Sequence, residues 1–294
     1  MSSRRIVQIV SAFLLNPILP NFARGTIYSG GVKHVCIPAL NCYSCPAAVG
    51  ACPVGSLQVM LSSVRGYLSG KLEVTAAWAA GYVVGAIAIV GAICGRFPCG
   101  WVCPFGFLHD LLYLHKDRPS PLPWWARFVK YAILAVFVIA LPLALTSPSS
   151  PLFCKYICPA GTAEAGIPLV GHDKLVGEGI YPVGLLFVWK IALMLGFLAG
   201  ALLVSRFFCR TTCPLGAAWG LFNGVSLVGL EVDTGECTQC GFCKAVCPMD
   251  IGIFESPGDA ECIRCLKCTQ CPHSAVKVVL RPKASSAEEA EGTG

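Results

Sequence analysis

The chain has 294 residues, of which 55% are hydrophobic and 13% are charged, and its mean hydropathy is +0.67. A soluble domain carries about 25% charged residues, so this composition argues against a soluble class and indicates membrane-spanning segments. The formal net charge of +6 fits basic membrane flanks, and because the sequence has no basic run, it does not indicate nucleic-acid binding.

Four apolar stretches predict membrane-spanning helices. A helix needs about 20 apolar residues to cross the hydrocarbon core of a bilayer. The first stretch is short and contains two prolines, the third carries Lys130 and Pro142, and the fourth is long enough to cross with a tilt. In chain order, the stretches are residues 6–22, 74–95, 128–147 and 181–205.

The charges flanking these stretches predict the orientation of the chain. Arg4 and Arg5 precede the first stretch, and no small-residue cleavage site follows it, so we expect a cytoplasmic N-terminus rather than an export signal. Four spans then place the C-terminus in the cytoplasm as well. The loop 96–127 is basic, as the positive-inside rule requires, but the outer loop 23–73 is basic too, so the bias is modest. We expect a multi-pass protein of a prokaryotic plasma (inner) membrane.

The two loops that this orientation places outside contain six cysteines: Cys36, Cys42, Cys45, Cys52, Cys154 and Cys158. In one arrangement, Cys36 and Cys42 form a disulfide and the other four bind a metal cluster. In a second arrangement, Cys154 and Cys158 pair, and the four cysteines of the first loop bind the cluster. Structural disulfides throughout are a third alternative, which an oxidising exterior favours. Disulfide pairing cannot be deduced from sequence, so all three stay open.

An internal repeat follows two of the apolar stretches. The segment RFPCGWVCPFG at 96–106 matches RFFCRTTCPLG at 206–216, and each contains a C-x3-C-P motif. Proline is favoured in the first turn of a helix, where the free N–H groups and the helix dipole stabilise a thiolate. Two such pairs at a pseudo-two-fold axis supply the four sulfurs of a [4Fe–4S] cluster; free thiols or two disulfides are the alternatives. The four cysteines are Cys99, Cys103, Cys209 and Cys213.

Two further cysteine runs lie near the C-terminus. They comprise Cys237, Cys240, Cys243 and Cys247, and then Cys262, Cys265, Cys268 and Cys271. The spacing is that of a bacterial ferredoxin with two [4Fe–4S] clusters, in which the fourth cysteine of each run ligates the other cluster. The last gap of the second run is one residue short, but we expect Cys271 to complete the first cluster and Cys247 the second. Tetrahedral zinc is the weaker alternative, since both runs are complete and each ends in Cys-Pro.

These features predict a mainly α-helical fold. We expect a four-helix transmembrane bundle with an internal pseudo-two-fold repeat, followed by a small α+β ferredoxin domain with two clusters. The predicted boundaries are 1–229 for the transmembrane domain, which carries the C-x3-C-P motifs and the outer cysteine loops, 230–281 for the ferredoxin domain and 282–294 for a disordered tail. The ferredoxin domain is expected in the cytoplasm.

A few other residues bear on cofactors. No histidine lies in an apolar stretch, which argues against a haem inside the bilayer. Lys190 lies within the fourth stretch, where a charge is costly and often functional, so it is a candidate for hydrogen bonding to a quinone or for tuning a thiolate-ligated cluster. The alternative for Lys190 is snorkelling to the interface. His109 and Asp110 fit a proton relay or a solvated helix face equally well.

Tandem C-x3-C-P motifs at span ends, followed by a two-cluster ferredoxin domain, resemble the NapH/NosR-type membrane polyferredoxins. The segments FPCGWVCPFGFLHDLL and CRTTCPLGAAWGLF are similar to that family's signature, and the resemblance extends over about residues 74–281. It implies a four-span protein that passes electrons between the quinone pool or soluble donors and partner redox proteins. It also implies cluster ligation by the four repeat cysteines and the eight ferredoxin cysteines. The outer cysteines depart from the nitrate-type members and indicate a different partner.

We therefore expect a membrane-bound iron–sulfur electron-transfer protein, without catalytic residues of its own. It would pass electrons between cytoplasmic ferredoxin clusters, clusters at the membrane face and a quinone or partner redox protein. It is expected to be a subunit of a larger oxidoreductase complex in the lipid bilayer. The alternative is a transmembrane thiol reductase, in which pairs of outer cysteines form a dithiol/disulfide relay.

Overall fold

The computed structural model of the chain describes residues 3–68, 70, 75–113, 122–145, 151–177, 179–181 and 183–280. The tail predicted at 282–294 lies outside these residues. The described part is mainly helical, which confirms the predicted class. Its α-helices are α1 (Ser3–Leu15), α2 (Pro20–Arg24), α3 (Pro53–Leu68), α4 (Thr75–Cys94), α5 (Phe97–Trp101), α6 (Pro104–Leu112), α7 (Val129–Ile133), α8 (Leu141–Ala144), α9 (Leu152–Tyr156), α10 (Pro159–Gly161), α11 (Ile167–Val176), α12 (Leu185–Leu203), α13 (Phe207–Thr211), α14 (Pro214–Gly220) and α15 (Phe242–Ala245).

Two π-helical segments, Leu134–Ala140 and Thr162–Gly166, each lead directly into an α-helix with a proline at its second residue. A proline inside a helix removes one hydrogen bond and clashes with the carbonyl of the preceding turn. A π-bulge relieves such a conflict by widening the preceding turn. The helix therefore continues through Pro142, and residues 124–144 form one rod.

Among the described residues, two helices are long and apolar enough to cross a membrane: Trp124–Ala144, of 21 residues, and Leu185–Leu203, of 19 residues. The apolar part of α4, Gly81–Cys94, is shorter. At the first apolar stretch, α1 ends after 13 residues. The predicted bundle of four spans is thus not confirmed by the described helices.

Helix α3 lies in the segment 23–73, for which the sequence predicts a loop. It begins at Pro53, directly after Cys52, and packs against α4 and against the rod 124–144. Gln58 and Arg65 lower the mean hydropathy of this helix below that of a membrane span, so the hydropathy pattern does not predict it. Gln58 is 1% exposed, so this polar side chain points into the protein.

The C-terminal domain is closed by a two-stranded sheet. Strands β1 (Val228–Val232) and β2 (Val276–Leu280) pair antiparallel, with Leu230 opposite Val278. Both cysteine runs lie between the strands, together with α15 and the 3₁₀ segment Lys267–Gln270. Leu230 and Val276 pack against Cys243. The sheet thus holds the two ends of the cysteine-rich segment together.

The largest core contains three of the four cysteines of the internal repeat. Cys99, Cys103 and Cys213 belong to one buried cluster with Phe208 and Trp219. Partly buried Cys247 of the first ferredoxin run and Cys262 and Cys265 of the second pack against the same cluster. The core therefore joins the helical region to the C-terminal domain.

Candidate iron–sulfur sites

Two small cavities in the C-terminal domain are each lined by cysteines from both runs. The first is lined by Cys237, Cys240, Cys243 and Cys271. The second is lined by Cys247, Cys262, Cys265 and Cys268, and Cys243 also contacts it. The structure thus places Cys271 beside the first run and Cys247 beside the second.

The loops that carry these cysteines contain strained backbone. Gln239, Arg264 and Leu266 have φ angles of 52°, 47° and 60°, although none of them is glycine. A left-handed conformation is uncommon for such residues and persists where the surrounding structure requires it. Each lies within a C-x2-C segment, so the strain coincides with the tight turns that bring the sulfurs to the cavities.

The four cysteines of the internal repeat are buried together, each 5–8% exposed. Cys99 and Cys209 lie in α5 and α13, whereas Cys103 and Cys213 are the N-cap residues of α6 and α14. The Sγ of each N-cap cysteine accepts a hydrogen bond, 3.4 Å long, from the backbone N–H of the glycine three residues later. The sequence argument for a thiolate at a proline-led helix start therefore has its geometric counterpart in both copies.

Two arginines connect the copies crosswise. Arg96 Nη2 donates to the backbone oxygen of Cys209 at 3.1 Å, and Arg206 Nη1 donates to that of Cys99 at 2.5 Å. Both arginine side chains are fully buried. Each copy therefore positions the cysteine of the other, which is the arrangement that a pseudo-two-fold axis produces.

Two glycines make room for these arginines. A Cβ on Gly106 would lie 2.9 Å from Arg206 Nη1, and a Cβ on Gly216 would lie 2.9 Å from Arg96 Nη2. Real Cβ atoms do not approach heavy atoms this closely without displacing them. A Cβ at Gly106 would also lie 2.8 Å from the backbone oxygen of Cys99, so a side chain there would displace backbone, whereas one at Gly216 would displace the buried Arg96 guanidinium.

Each arginine is paired with one carboxylate, which a second cation shares. Arg96 and Lys130 bind Glu261, and Arg206 and Arg4 bind Asp110. Burial alone would raise the pKa of Asp110, but the adjacent Arg206 guanidinium and then Arg4 lower it to about 2. Asp110 is therefore ionised, and each group of three carries one excess positive charge.

This buried charge tests whether an iron–sulfur cluster fits. Two excess positive charges lie beside four cysteines, where an isolated buried charge would be costly. A cluster ligated by four thiolates is anionic and would balance them. The donor set and the surrounding charge thus both fit a [4Fe–4S] cluster at Cys99, Cys103, Cys209 and Cys213.

The expectations for His109 and Asp110 are changed by the structure. Asp110 is held by two arginines, and the His109 ring is 1% exposed and packs against Phe105 and Phe208. Among the described residues, neither ring nitrogen of His109 has a hydrogen-bond partner. A solvated helix face is therefore wrong for both residues, because they face the packed interior.

The second ferredoxin run sits directly on the first repeat. A Cβ on Gly100 would lie 2.4 Å from the backbone oxygen of Ile263 and 3.8 Å from the Cα of Cys265. Trp101 Nε1 donates to the backbone oxygen of Arg264 at 2.9 Å. The loop that carries Cys262 and Cys265 therefore touches the helix that carries Cys99.

Of the six cysteines predicted outside, four line one large cavity of about 750 Å³: Cys42, Cys52, Cys154 and Cys158. This set differs from both cluster arrangements expected from the sequence. Cys45 does not line the cavity; its Sγ lies 3.7 Å from Asn16 Oδ1. Cys36 bridges to Ala51 through the backbone and does not line the cavity either. All 19 cysteines lie in the described residues, and the structure contains no disulfide among them.

Lys190 lies near this cavity. Its Nζ donates to the backbone oxygen of Cys154 at 3.2 Å. The ammonium group of Lys190 therefore contacts the backbone of a cysteine that lines the cavity.

Among the described residues, no three His, Cys, Asp or Glu side chains are grouped as ligands of a single metal ion. In a [4Fe–4S] cluster, by contrast, each cysteine ligates a different iron, so the sulfurs stand apart around a cavity.

The functional residues that sequence reasoning missed are Glu261 and the two arginines. Arg96 and Arg206 were visible as matched positions of the repeat, but the pattern assigned them no partner. Glu261 lies 165 residues from Arg96, and no local signal connects them.

Comparison with known proteins identifies a family with similar sequences. A family model described as a 4Fe–4S binding domain matches residues 76–121, 131–170 and 185–229, and each segment contains a C-x3-C-P motif. An uncharacterized protein of Methanocaldococcus jannaschii is 33% identical over 188 residues, which cover 62% of this chain and 71% of the relative. Ferredoxin-type protein NapH of Escherichia coli is 26% identical over 224 residues, covering 72% of this chain and 69% of that protein. The chain belongs to the NapH-type ferredoxin family.

A second uncharacterized protein of Methanocaldococcus jannaschii is 32% identical over 193 residues, and the match spans 63% of its length, a little under two thirds. No solved structure matches the chain. As a member of this family, the protein binds [4Fe–4S] clusters and has an iron–sulfur electron-transfer role.

Proposed function

We propose that this NapH-type protein is a membrane-bound electron-transfer subunit with two clusters in its C-terminal domain and one at the internal repeat. Cys237, Cys240, Cys243 and Cys271 would hold the first cluster, and Cys262, Cys265, Cys268 and Cys247 the second. Cys99, Cys103, Cys209 and Cys213 would hold the third. A [4Fe–4S] cluster supplies one-electron transfer at a potential set by charge, hydrogen bonds and burial.

One observation carries this proposal. The loop of the second ferredoxin run packs on the helix of Cys99, with Trp101 Nε1 bonded to the backbone of Arg264. The salt bridge from Glu261 to Arg96 fixes the same junction. Glu261 is adjacent to Cys262 in the chain, and Arg96 binds the Cys209 backbone. The residues of the C-terminal domain therefore hold the two cysteine sets side by side, as electron exchange between them requires.

Placement in a membrane is part of the proposal. The rod 124–144 begins with Trp124, Trp125 and Phe128, which are 74%, 59% and 59% exposed. Aromatic residues are enriched where membrane helices meet the headgroup region. Helix α12 exposes apolar side chains such as Leu185 and Val188. Both helices thus present surfaces suited to lipid, and we propose a multi-pass plasma-membrane protein with a cytoplasmic C-terminal domain and a quinone or redox-protein partner.

The first test is the iron and acid-labile sulfide content of the anaerobically purified protein. The Cys99/Cys209→Ser double variant is expected to lose about four irons per chain. The EPR signals of the two ferredoxin clusters should remain in this variant. Unchanged iron in the double variant would contradict a cluster at the repeat. The absence of every EPR signal from the wild-type protein would contradict the electron-transfer function itself.

A further inference from the structure

The four cysteines of the internal repeat form the inner site, in which Cys103 and Cys213 each begin a Cys-Pro-x-Gly turn. The same turn recurs at the cavity of about 750 Å³, the outer site. Cys52 and Cys158 are followed by Pro-x-Gly, and α3 and α10 begin at the prolines, as α6 and α14 do in the inner site. Cys158 is the N-cap residue of α10, and Cys52 directly precedes the first residue of α3. Two more turns of the same construction thus present sulfur at a helix start.

The second cysteine of each pair also has a counterpart. Cys154 precedes Cys158 by four residues, which makes a third C-x3-C-P motif. The position four residues before Cys52 is Ala48, so the spacing fails there. Cys42 supplies the missing sulfur: a Cβ on Gly161 would lie 3.7 Å from Cys42 Sγ. The fourth sulfur therefore comes from outside the motif.

The two halves of this cavity are interleaved. Cys42 Sγ lies at the turn of Cys158, and a Cβ on Gly55, in the turn of Cys52, would lie 3.6 Å from Cys154 Sγ. Each half thus places its second sulfur against the turn of the other half. In the inner site, likewise, the arginine of each copy donates to the backbone oxygen of a cysteine in the other copy.

Buried polar groups hold the chain around these sulfurs. Gln58 Nε2 lies 3.6 Å from Cys154 Sγ and donates to it, while Gln58 Oε1 accepts from the Phe153 N–H at 2.8 Å. Glu164 Oε2 accepts from the Cys42 N–H at 2.6 Å. Lys190 Nζ donates to the backbone oxygen of Cys154. A buried amide that donates to sulfur is a partner for a thiolate ligand.

The cavity is also joined to the inner site by two residues. The backbone oxygen of Leu40 accepts a hydrogen bond from Cys103 Sγ at 3.9 Å, and the next residue, Asn41, lines the cavity. Cys42 follows directly. A single short segment therefore contacts an inner cysteine and carries an outer one.

We propose that Cys42, Cys52, Cys154 and Cys158 hold a fourth iron–sulfur cluster next to the one at the internal repeat. Its role as an electron carrier rests on the proposed function, but its existence does not. Cys45 and Cys36, which sequence analysis included among the candidates, are not ligands of this site.

The test compares two matched double variants by iron, acid-labile sulfide and EPR under anaerobic conditions. Wild-type protein is expected to contain about sixteen irons per chain, and Cys42/Cys158→Ser about twelve. Cys36/Cys45→Ser, which also removes two cysteines of the outer set, is expected to keep all sixteen or so. About twelve irons in the wild type, or loss of iron in the Cys36/Cys45 variant alone, would overturn the proposal.

Two additions keep the experiment decisive. Gln58→Leu retains all cysteines and is expected to change the EPR signal of one cluster without loss of iron; identical spectra would contradict the site. Alkylation and peptide mass analysis of the wild type should show no Cys154–Cys158 disulfide, whereas its presence would favour a thiol relay. Failure of the proposed function would appear separately, as iron unchanged in the Cys99/Cys209→Ser variant.

Discussion

Arg96 and Arg206 occupy equivalent positions in the two repeats, yet their charges are balanced by carboxylates from different parts of the chain. Arg206 is paired with Asp110, which lies in α6 just after the first repeat, whereas Arg96 is paired with Glu261 of the C-terminal domain. The pseudo-symmetry is therefore broken at the counter-ion. The broken position is also the point where the C-terminal domain attaches.

Glu261→Gln should loosen this attachment. The change leaves Arg96 and Lys130 buried without their carboxylate, and breaking a buried ion pair costs about 3–5 kcal/mol. We expect a lower unfolding temperature in detergent and faster proteolytic release of the C-terminal domain. Asp233→Asn is the control, because its partner Lys277 is exposed and little change is expected. Equal effects of the two substitutions would refute the role of Glu261.

The exchange of fourth ligands between the ferredoxin clusters predicts a pattern among double variants. Cys271 lies with Cys240 at one cavity, and Cys247 with Cys265 at the other. Cys240/Cys271→Ser should therefore lose one cluster, or about four irons, whereas Cys240/Cys247→Ser should lose two, or about eight. Iron content and EPR measure the difference. The reverse pattern would show that each run keeps its own fourth cysteine.

Gly106→Ala should damage the inner site, because the added methyl group meets Arg206 Nη1 and the backbone oxygen of Cys99 within 3 Å. Overpacking of this kind costs on the order of 1–3 kcal/mol. The matched control is Gly171→Ala in α11, where a Cβ has nothing within 4 Å. There the substitution should stabilise the helix by roughly 0.5–1 kcal/mol. The unfolding temperature and the iron content of each variant test the predicted destabilisation and stabilisation. Equal behaviour of the two variants would contradict the close packing of Gly106 against Arg206.

Membrane insertion predicts that lipid reaches some tryptophans and not others. Trp124 and Trp125 are exposed on the rod 124–144, whereas Trp219 is 1% exposed. In vesicles of brominated lipid, tryptophan fluorescence should be quenched, and Trp124/Trp125→Phe should remove more of the quenching than Trp219→Phe. A chain released from membranes by alkaline carbonate would contradict the proposed spans.

Lys190→Met should affect the outer site through the backbone of Cys154, to which the ammonium group donates. We expect an altered EPR signal or lower iron at that site, with the inner and ferredoxin signals kept. Lys155→Met is the control, since this exposed lysine lies 5.4 Å from the Tyr156 ring and donates to no cavity residue. A change of similar size in both variants would point to a general effect of charge.

The sequence predicted the helical class, the two ferredoxin runs and the internal repeat, because each depends on spacing within a short segment. It did not predict that Cys42 would stand where the motif has Ala48, since that depends on how a loop of several residues folds back. It also missed Glu261 and helix α3. Glu261 meets Arg96 across 165 residues, and α3 is stabilised by packing rather than by hydropathy.

The crossing of the arginines sets the order in which this protein can mature. During synthesis, Cys99 and Cys103 emerge long before Arg206, the group that holds the Cys99 backbone. Arg96 can form its salt bridge only once Glu261 has been synthesised. These contacts at the four repeat cysteines can therefore all form only after Glu261 has been synthesised. For the cluster proposed at the internal repeat, we therefore expect iron delivery only after Arg206 and Glu261 have been synthesised, because a chain that lacks them would lack the groups that hold its cysteine segments.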